Sequence, residues 1–262
     1  MGKGWAKGLT AVTDPRVARM AATRRGKPRG PYRRREGSVW QWTPEVAYAV
    51  GLIATDGNLS PSGRHVAVSS GEREVLETFL RCVNRRAKIG TNKSGFGSLT
   101  LRVQLGDVGL YRWLQTIGLF PRKSHTVGAI DVPSEYFGHL LRGLIDGDGS
   151  ILDVSYDGTG KARGHRYRTL LTRFNSASRA HVDWLRARIA REFGLSGGLA
   201  NEDGLFQLTY AMRASLRLLP LLYPDPDVPC LARKRDTWLR FVRDGSEQSP
   251  RGKIRSTPAQ VV

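Results

Sequence analysis

The sequence contains few cysteines, few acidic residues and no long hydrophobic run. Its two cysteines, Cys82 and Cys230, are too few for a disulfide framework or a structural zinc site, which fits a reducing cytoplasm. The five histidines show no metal-ligand spacing, so neither a zinc finger nor a histidine–metal nuclease is expected. No apolar stretch approaches the roughly 18 residues that span a bilayer. Charges and proline also interrupt the first 20 residues, where a signal peptide would have its apolar core. These absences predict a cytoplasmic protein without a membrane partner.

Positive charge is what the sequence has in excess. Lysine and arginine number 42 against 23 acidic residues, which gives a formal net charge of +19 and a pI near 10.7. Such an excess is typical of proteins that bind nucleic acid, with an acidic membrane surface as the competing partner. The 262 residues are enough for one large domain or two domains of about 100 residues each.

The two ends of the chain differ from its middle. Residues 1–40 include "RRGKPRGPYRRREG" (24–37), which has seven basic residues, two prolines and three glycines. This composition predicts an extended basic arm that contacts DNA phosphates, with a solubilising tail as the alternative. Residues 246–262 are predicted to form a flexible C-terminal tail.

Between these ends the chain repeats itself. "GLIATDG" (51–57) and "GLIDGDG" (143–149) share a Gly-Leu-Ile segment followed, after two variable residues, by Asp-Gly. Around each copy the periodicity predicts the same element order, αββαββα, which places one half at 41–130 and the other at 131–245. The spacing also predicts that the second copy has the longer first hairpin, by about 14 residues.

The Asp-Gly endings predict unusual helix termini. Gly57 and Gly149 are expected to end their helices as left-handed caps. Asp56 and Asp148 would then lie at helix C-termini, where the helix dipole disfavours a negative charge. Two unrelated helix ends with solvated carboxylates are the alternative interpretation.

Small residues in the repeat predict that its two helices touch. Gly51 and Gly143 leave room for a close approach of two helix backbones. Side-by-side packing would bring Asp56 and Asp148 to the same point. The two carboxylates would repel each other there unless a divalent ion lay between them.

The segments "AVGLIATDG" (49–57) and "LRGLIDGDG" (141–149) resemble the paired motifs of the LAGLIDADG homing endonucleases, in their single-chain form. The resemblance extends over about residues 43–240. It implies an α+β fold of two pseudo-symmetric αββαββα halves, with antiparallel, saddle-shaped sheets along the DNA and a central two-helix interface. It also implies a monomeric, site-specific endonuclease of intron homing that hydrolyses both strands of DNA in a bacterial or phage-infected cell.

The resemblance further implies a metal site. Its cofactor would be Mg²⁺, with Mn²⁺ able to substitute. The implied ligands are the catalytic carboxylates of Asp56 and Asp148 and the backbone carbonyls of Thr55 and Gly147.

Catalytic lysines of the family lie at the periphery of such sites. "GLFPRKSHT" and "PCLARKRDTW" each place an Arg-Lys pair after the closing helix of a half, which indicates Lys123 and Lys234. A solvated or phosphate-binding side chain is the alternative for each. The second motif has Asp146 where the first has Ala54, and Asp146 has no assigned role.

Polar side chains on the predicted sheets suit the recognition of base edges, with phosphate contact as the alternative. The predicted DNA-binding residues are Asn92, Lys93, Thr100, Arg102 and Gln104 in the first half, and Arg166, Arg168, Arg173 and Gln207 in the second. Because these sets differ, the partner is expected to be double-stranded DNA with a long, partly palindromic target site.

Three other functions compete with this interpretation. The first is a non-cleaving nucleic-acid binder of the same fold, either an intron RNA maturase or a transcription regulator. The second is a basic packaging protein, for which the repeated motif would have no purpose. An endonuclease carried by an intein is disfavoured, because the sequence begins with Met and lacks a terminal His-Asn pair.

Overall fold

The computed structural model describes residues 8–24, 38–93, 99–157, 159, 163–164 and 166–247. The chain divides into two compact units, Met1–Ser38 and Val39–Val262. The first unit contains helix α1 (Pro15–Arg24). Most of the predicted basic arm, at 25–37, and most of the predicted tail, at 248–262, lie outside the described residues.

The second unit contains the same series of elements twice. The first series is α2 (Pro44–Asp56), β1 (Gly57–Leu59), β2 (Val66–Ser70), α3 (Arg73–Cys82), β3 (Gly90–Lys93), β4 (Leu99–Leu105) and α4 (Val108–Thr116). The second series is α5 (Ser134–Asp146), β5 (Ser150–Asp157), β6 (Arg166–Ser176), α6 (Arg179–Phe193), β7 (Gly198–Glu202), β8 (Leu205–Tyr210) and α7 (Met212–Leu222). The predicted αββαββα order is therefore confirmed in both halves. A short 3₁₀ helix (Lys123–His125) follows α4, and a further helix, α8 (Ala232–Glu247), follows α7.

Each half builds one antiparallel sheet with the same strand order. The first sheet has the order β1-β2-β4-β3, and the second has the order β5-β6-β8-β7. Strands β1 and β2 pair over three positions, whereas β5 and β6 pair over eight. The prediction of a longer hairpin in the second half is thus confirmed, and the fold is α+β.

Local signals explain where the first motif helix begins. Pro44 occupies the first position of α2, and the hydroxyl of Thr43 accepts a hydrogen bond from the amide of Val46 at 3.2 Å. This N-cap satisfies an amide that has no partner inside the helix.

The core is continuous across both halves and surrounds the motif helices. Every residue of α2 from Val46 to Ala54 is buried, which is typical of a helix at the centre of a fold. One face of each sheet also packs into the core, through Val68 and Val103 in the first half and Leu170 and Phe174 in the second. The opposite face of each sheet is left open, and we call it the open face. In the part of the chain that the structure describes, no helix is long and apolar enough to cross a bilayer.

Candidate functional site

The candidate site lies where the motif helices α2 and α5 touch. A methyl group at Gly51 would lie 2.5 Å from the carbonyl oxygen of Leu140, and one at Gly143 would lie 2.2 Å from that of Tyr48. Neither distance is tolerated between a carbon and an oxygen, so the two backbones are in direct contact at these glycines. The predicted close approach of the helices is confirmed.

The glycines after the motif carboxylates do not form left-handed caps, and that prediction is wrong. Gly57 has the extended conformation, with φ −87° and ψ 153°, and Gly149 also lacks a positive φ. These positions need glycine because a larger side chain would overlap neighbouring backbone atoms. A methyl group at Gly57 would lie 2.4 Å from the carbonyl oxygen of Ile53, and one at Gly149 would lie 2.7 Å from that of Arg173.

Asp148 lies close enough to Asp56 for its charge to affect the ionisation of Asp56. Asp56 is the last residue of α2, and Asp148 follows α5 by two residues. Burial, and then the charge of Asp148, raise the pKa of Asp56 from 3.8 to about 7, while Lys234 and Lys123 lower it. Burial also raises the pKa of Asp148, against the opposing effect of Lys123 and Lys234, although the side chain remains open to solvent on one side. The repeat therefore brings both acids and both lysines together.

Two buried lysines bind the ends of the motif helices. The ammonium of Lys123 donates to the carbonyl of Thr55 at 3.3 Å. The ammonium of Lys234 lies within 2.6–3.1 Å of the carbonyl oxygens of Ile145, Asp146, Gly147 and Gly149, so its three N–H groups are all used and at least one is shared between two oxygens. Each positive charge lies at the negative end of a helix dipole, which stabilises both. Burial lowers the pKa of both lysines, that of Lys123 to about 8.

Asp146 supports the helix that carries one of these lysines. Its buried carboxylate accepts hydrogen bonds from the hydroxyl of Tyr48 at 2.9 Å and from the amide of Leu231 at 2.6 Å. Leu231 directly precedes α8, and Lys234 lies in the first turn of that helix. Asp146 thus ties α8 to both motif helices. Ala54 occupies the equivalent position in the first motif and has no side-chain acceptor.

The atoms that this place offers to a cation are oxygens. They are the carboxylates of Asp56 and Asp148, together with the carbonyls of Thr55 and Gly147, which also accept hydrogen bonds from Lys123 and Lys234. Mg²⁺ prefers oxygen ligands and is usually held by one or two carboxylates together with water and substrate phosphates. Over the described residues, no three side chains of His, Cys, Asp or Glu group together. The donor set fits Mg²⁺ and does not fit a metal that needs several thiolates or imidazoles.

Four of the five predicted DNA-binding residues of the first half, all except Lys93, share the open face of the first sheet. Strand pairing places Asn92 opposite Thr100, and Arg102 and Gln104 follow Thr100 at intervals of two along β4. Val103 and Leu105, which alternate with them, are buried on the core face. Lys93 pairs with Leu99 in the backbone register, and its side chain lies outside the described residues.

The predicted DNA-binding residues of the second half lie on two faces, which corrects the sequence prediction. Arg173 and Gln207 belong to the open face, since their strand partners are Ser150, Thr209 and Asn175. Arg166 and Arg168 alternate with the open-face positions of β6, so they belong to the core face, like Leu170 and Phe174.

Arg168 makes structural contacts on this face, and its DNA contact stays a prediction. Its guanidinium binds the carboxylates of Asp153 and Asp244, the latter at 3.1 Å, and lies 4.9 Å from the ring centre of Phe241. Asp244 and Phe241 belong to α8, so this cluster joins α8 to the long hairpin. The prediction counted arginines along β6 without separating its two faces.

Sequence reasoning missed Asn175. A cleft of about 280 Å³ opens beside Asp148, and Asn175 lines it. The amide of Asn175 donates to the carbonyl of Asp148 at 2.8 Å and accepts from the amide of Gln207 at 3.3 Å. Its spacing of two residues from Arg173 in β6 was the signal that could have identified it. Through Asn175, the open face of the second sheet is continuous with the acidic pair.

No protein-family model matches this chain. Among curated proteins, a component of the A-type ATP synthase of Methanopyrus kandleri is 28% identical over 109 residues, which are 42% of this chain and 10% of that protein. The match spans about a tenth of the length of that relative, so nothing about its activity carries over.

Solved structures of similar fold cover most of the chain. The LAGLIDADG meganuclease I-AabMI, bound to uncleaved DNA, matches with a TM-score of 0.54 and 13% identity over 79% of this chain and 91% of that one. The homing endonuclease I-WcaI, bound to its DNA recognition sequence, matches with a TM-score of 0.52 and 14% identity. The match covers 74% of this chain and 88% of that one. Full-length DUF199/WhiA from Thermatoga maritima matches with a TM-score of 0.50 and 14% identity. The match covers 83% of this chain and 65% of WhiA, slightly less than two thirds of its length. WhiA is not named as an endonuclease, and at these identities the likeness concerns the fold. With its doubled motif on two touching helices, the chain has the LAGLIDADG homing endonuclease fold.

Proposed function

We propose that this chain is a site-specific endonuclease that uses Mg²⁺ to hydrolyse one phosphodiester bond in each strand of double-stranded DNA. The observation that carries the proposal is the meeting of two carboxylates and two buried lysines at the contact between the motif helices. The carboxyl of Asp56 keeps a raised pKa although both lysines lie near it, so this cluster is not arranged to give each acid its most stable charged state.

The residues of the site have separate roles in this proposal. Asp56 and Asp148 would hold the divalent ion, which when bound would neutralise phosphate charge and activate water for attack. Lys123 and Lys234 place fixed positive charges beside the position where negative charge develops on the phosphate oxygens. Burial lowers the pKa of Lys123 to about 8, so this ammonium gives up its proton more readily than that of an ordinary lysine, although it remains mostly protonated at neutral pH.

Double-stranded DNA as the partner follows from charge and from the two open faces. The net charge of +19 attracts a polyanion. The open face of the first sheet carries Arg102 and Gln104, and that of the second carries Arg173 and Gln207, side chains suited to guanine and adenine edges. One chain supplies both faces, so the enzyme acts as a monomer on a long target whose halves differ.

The second candidate is a non-cleaving DNA-binding protein of the same fold. The observation that favours it is the match to WhiA over 83% of the chain. Both candidates require DNA binding, and they differ only in the chemistry of the acidic pair.

Cleavage of a random or genomic DNA library distinguishes the two candidates. The purified protein is incubated with the library in Mg²⁺, Ca²⁺ or EDTA, and all DNA ends are sequenced. The endonuclease should produce double-strand ends at one recurring sequence in Mg²⁺ and none in EDTA. Specific binding in Ca²⁺ without cleavage in Mg²⁺ would instead support the second candidate.

Substitution of the carboxylates then assigns the reaction to the site. Asp56→Asn and Asp148→Asn should each lower double-strand cleavage by at least about a hundredfold while the affinity for the target persists. Asp183→Asn is the matched control, because Asp183 forms an exposed ion pair with Arg179 on α6, far along the chain from the motifs. Full activity of Asp56→Asn would remove that residue from the mechanism.

A further inference from the structure

The long hairpin of the second half carries an apolar strip on its open face. Three cross-strand pairs form it, running outward from the acidic pair, and we call them the outer strip: Leu152 with Leu171, Val154 with Thr169, and Tyr156 with Tyr167. The two tyrosine rings stack with their centres 5.6 Å apart, and they remain 53% and 42% exposed. None of the six side chains is charged.

The outer strip does not serve the hydrophobic core. The core residues of the same strands, Ile151, Leu170 and Phe174, lie on the opposite face. That opposite face is also where Arg168 binds α8, so the outer part of the hairpin is supported from behind. An exposed pair of tyrosines on a supported hairpin is suited to contact a partner rather than to fill space.

The outer strip continues the surface that begins at the acidic pair. The next pair inward is Ser150 with Arg173, followed by Asn175, which binds the carbonyl of Asp148. Tyr156 lies six residues beyond Ser150, about 20 Å along an extended strand. This is the length of about six base pairs of B-DNA. DNA placed for cleavage at the acidic pair therefore runs past the outer strip.

We propose that the outer strip recognises the methyl groups of thymines in the outer part of the second half-site. The proposal rests on the proposed function, which supplies the DNA. In the major groove the four bases differ mainly in hydrogen-bond donors and acceptors, and the C5 methyl group of thymine is the apolar feature. A strip dominated by aliphatic and aromatic surface matches that methyl group and lacks the paired donors that select guanine or adenine. The first sheet has the opposite character, since Thr100, Arg102 and Gln104 are its open-face residues on β4.

Replacement of thymine by uracil tests the proposal on the intact protein. Deoxyuridine pairs as thymidine does and lacks only the methyl group. Duplexes of the target found in the library experiment are synthesised with deoxyuridine at each thymidine in turn, and binding is measured in Ca²⁺ to prevent cleavage. Replacement in the outer second half-site should weaken binding about fourfold per methyl group, the factor that corresponds to about 0.8 kcal/mol of buried apolar group. The same replacement in the first half-site should have no effect.

Variants of the exposed tyrosines assign the effect to the outer strip. Tyr156→Ala should abolish the difference between thymidine and deoxyuridine at the outer positions, whereas Tyr156→Phe should preserve it because the hydroxyl is not used. Weaker binding of Tyr156→Phe to both duplexes alike would mean that the tyrosine contacts phosphate, which overturns the proposal. If wild-type protein binds its target specifically but with the same affinity for thymidine and deoxyuridine duplexes, the proposal for the outer strip is wrong and the proposed function stands. A failure to bind any DNA would overturn the proposed function as well.

Discussion

Replacing Gly143 with alanine tests the helix contact on which the site depends. The added methyl group would lie 2.2 Å from the carbonyl oxygen of Tyr48 and 3.0 Å from the Cα of Gly51. Both atoms belong to the backbone of α2, so no change of rotamer relieves the overlap and the two helices must separate. Overpacking a tight core costs about 1–3 kcal/mol, and this overlap belongs at the upper end. The higher helix propensity of alanine offsets about 1 kcal/mol, which leaves a net loss of about 2 kcal/mol in the free energy of unfolding.

Urea unfolding followed by circular dichroism measures this loss, with Gly245→Ala as the control. Gly245 lies in α8 with no neighbouring atom within 4 Å of an added methyl group, so alanine there should leave the protein equally or slightly more stable. The double variant Gly51→Ala, Gly143→Ala should lose less than the sum of the two single losses, because helices already forced apart accommodate the second methyl group. If Gly143→Ala proves as stable as the control, the backbones are not in contact, and the convergence of the carboxylates loses its structural basis.

Three further predictions concern the ionisable groups of the site. Lys234→Met should reduce the free energy of unfolding about 2 kcal/mol more than Lys123→Met, because all three N–H groups of Lys234 are bound by carbonyl oxygens, whereas Lys123 donates to that of Thr55. Equal urea midpoints would contradict this. Asp146→Ala leaves two buried donors without an acceptor and should lower the free energy of unfolding by about 3 kcal/mol. Asp146→Asn keeps one acceptor oxygen and should lower it by less, and thermal unfolding of both variants measures the difference. The folded pKa of Asp56, about 7, exceeds its ordinary 3.8, so the folded protein binds that proton more tightly and stability falls as pH rises from about 4 to about 7. In EDTA, Asp56→Asn should therefore gain stability over the wild type across this range, and a margin that does not change with pH would refute the shift.

The order of elements was predictable because local signals determine it. Thr43 and Pro44 mark the start of α2, and the alternation along β4 marks a strand with one buried face. Helix α8 was not separated as an element of its own, because its beginning depends on a contact between Asp146 and Leu231 that joins positions 85 residues apart. No local pattern contains that information.

The candidate site was predictable as far as the repeat extends. The motif copies indicated Asp56 and Asp148, and the matched Arg-Lys pairs indicated Lys123 and Lys234 before any distance was known. The reason for the glycines after the carboxylates was mistaken, because a left-handed cap is a local explanation and the actual constraint is contact with neighbouring backbone. The face of Arg168 has a different explanation, since the alternation along β6 already separates Arg168 from Arg173 and the prediction did not apply it.

A charged Asp56 lowers the stability of the metal-free protein, whereas the proposed metal site needs that charge. This conflict is typical of a functional site. Burial raises the pKa of both Asp56 and Asp148, and the two lysines reduce but do not cancel that effect for Asp56. Burial raises the pKa of Asp146 as well, to about 6, but its carboxylate accepts two buried hydrogen bonds, so the protein is expected to lose stability when Asp146 is replaced by Ala. A carboxylate arranged to hold a cation is expected to gain stability when it is neutralised in the absence of that cation, because repulsion and burial no longer oppose folding. Asp56→Asn and Asp146→Ala should therefore shift the stability of the metal-free protein in opposite directions, although the two residues belong to equivalent motifs that touch.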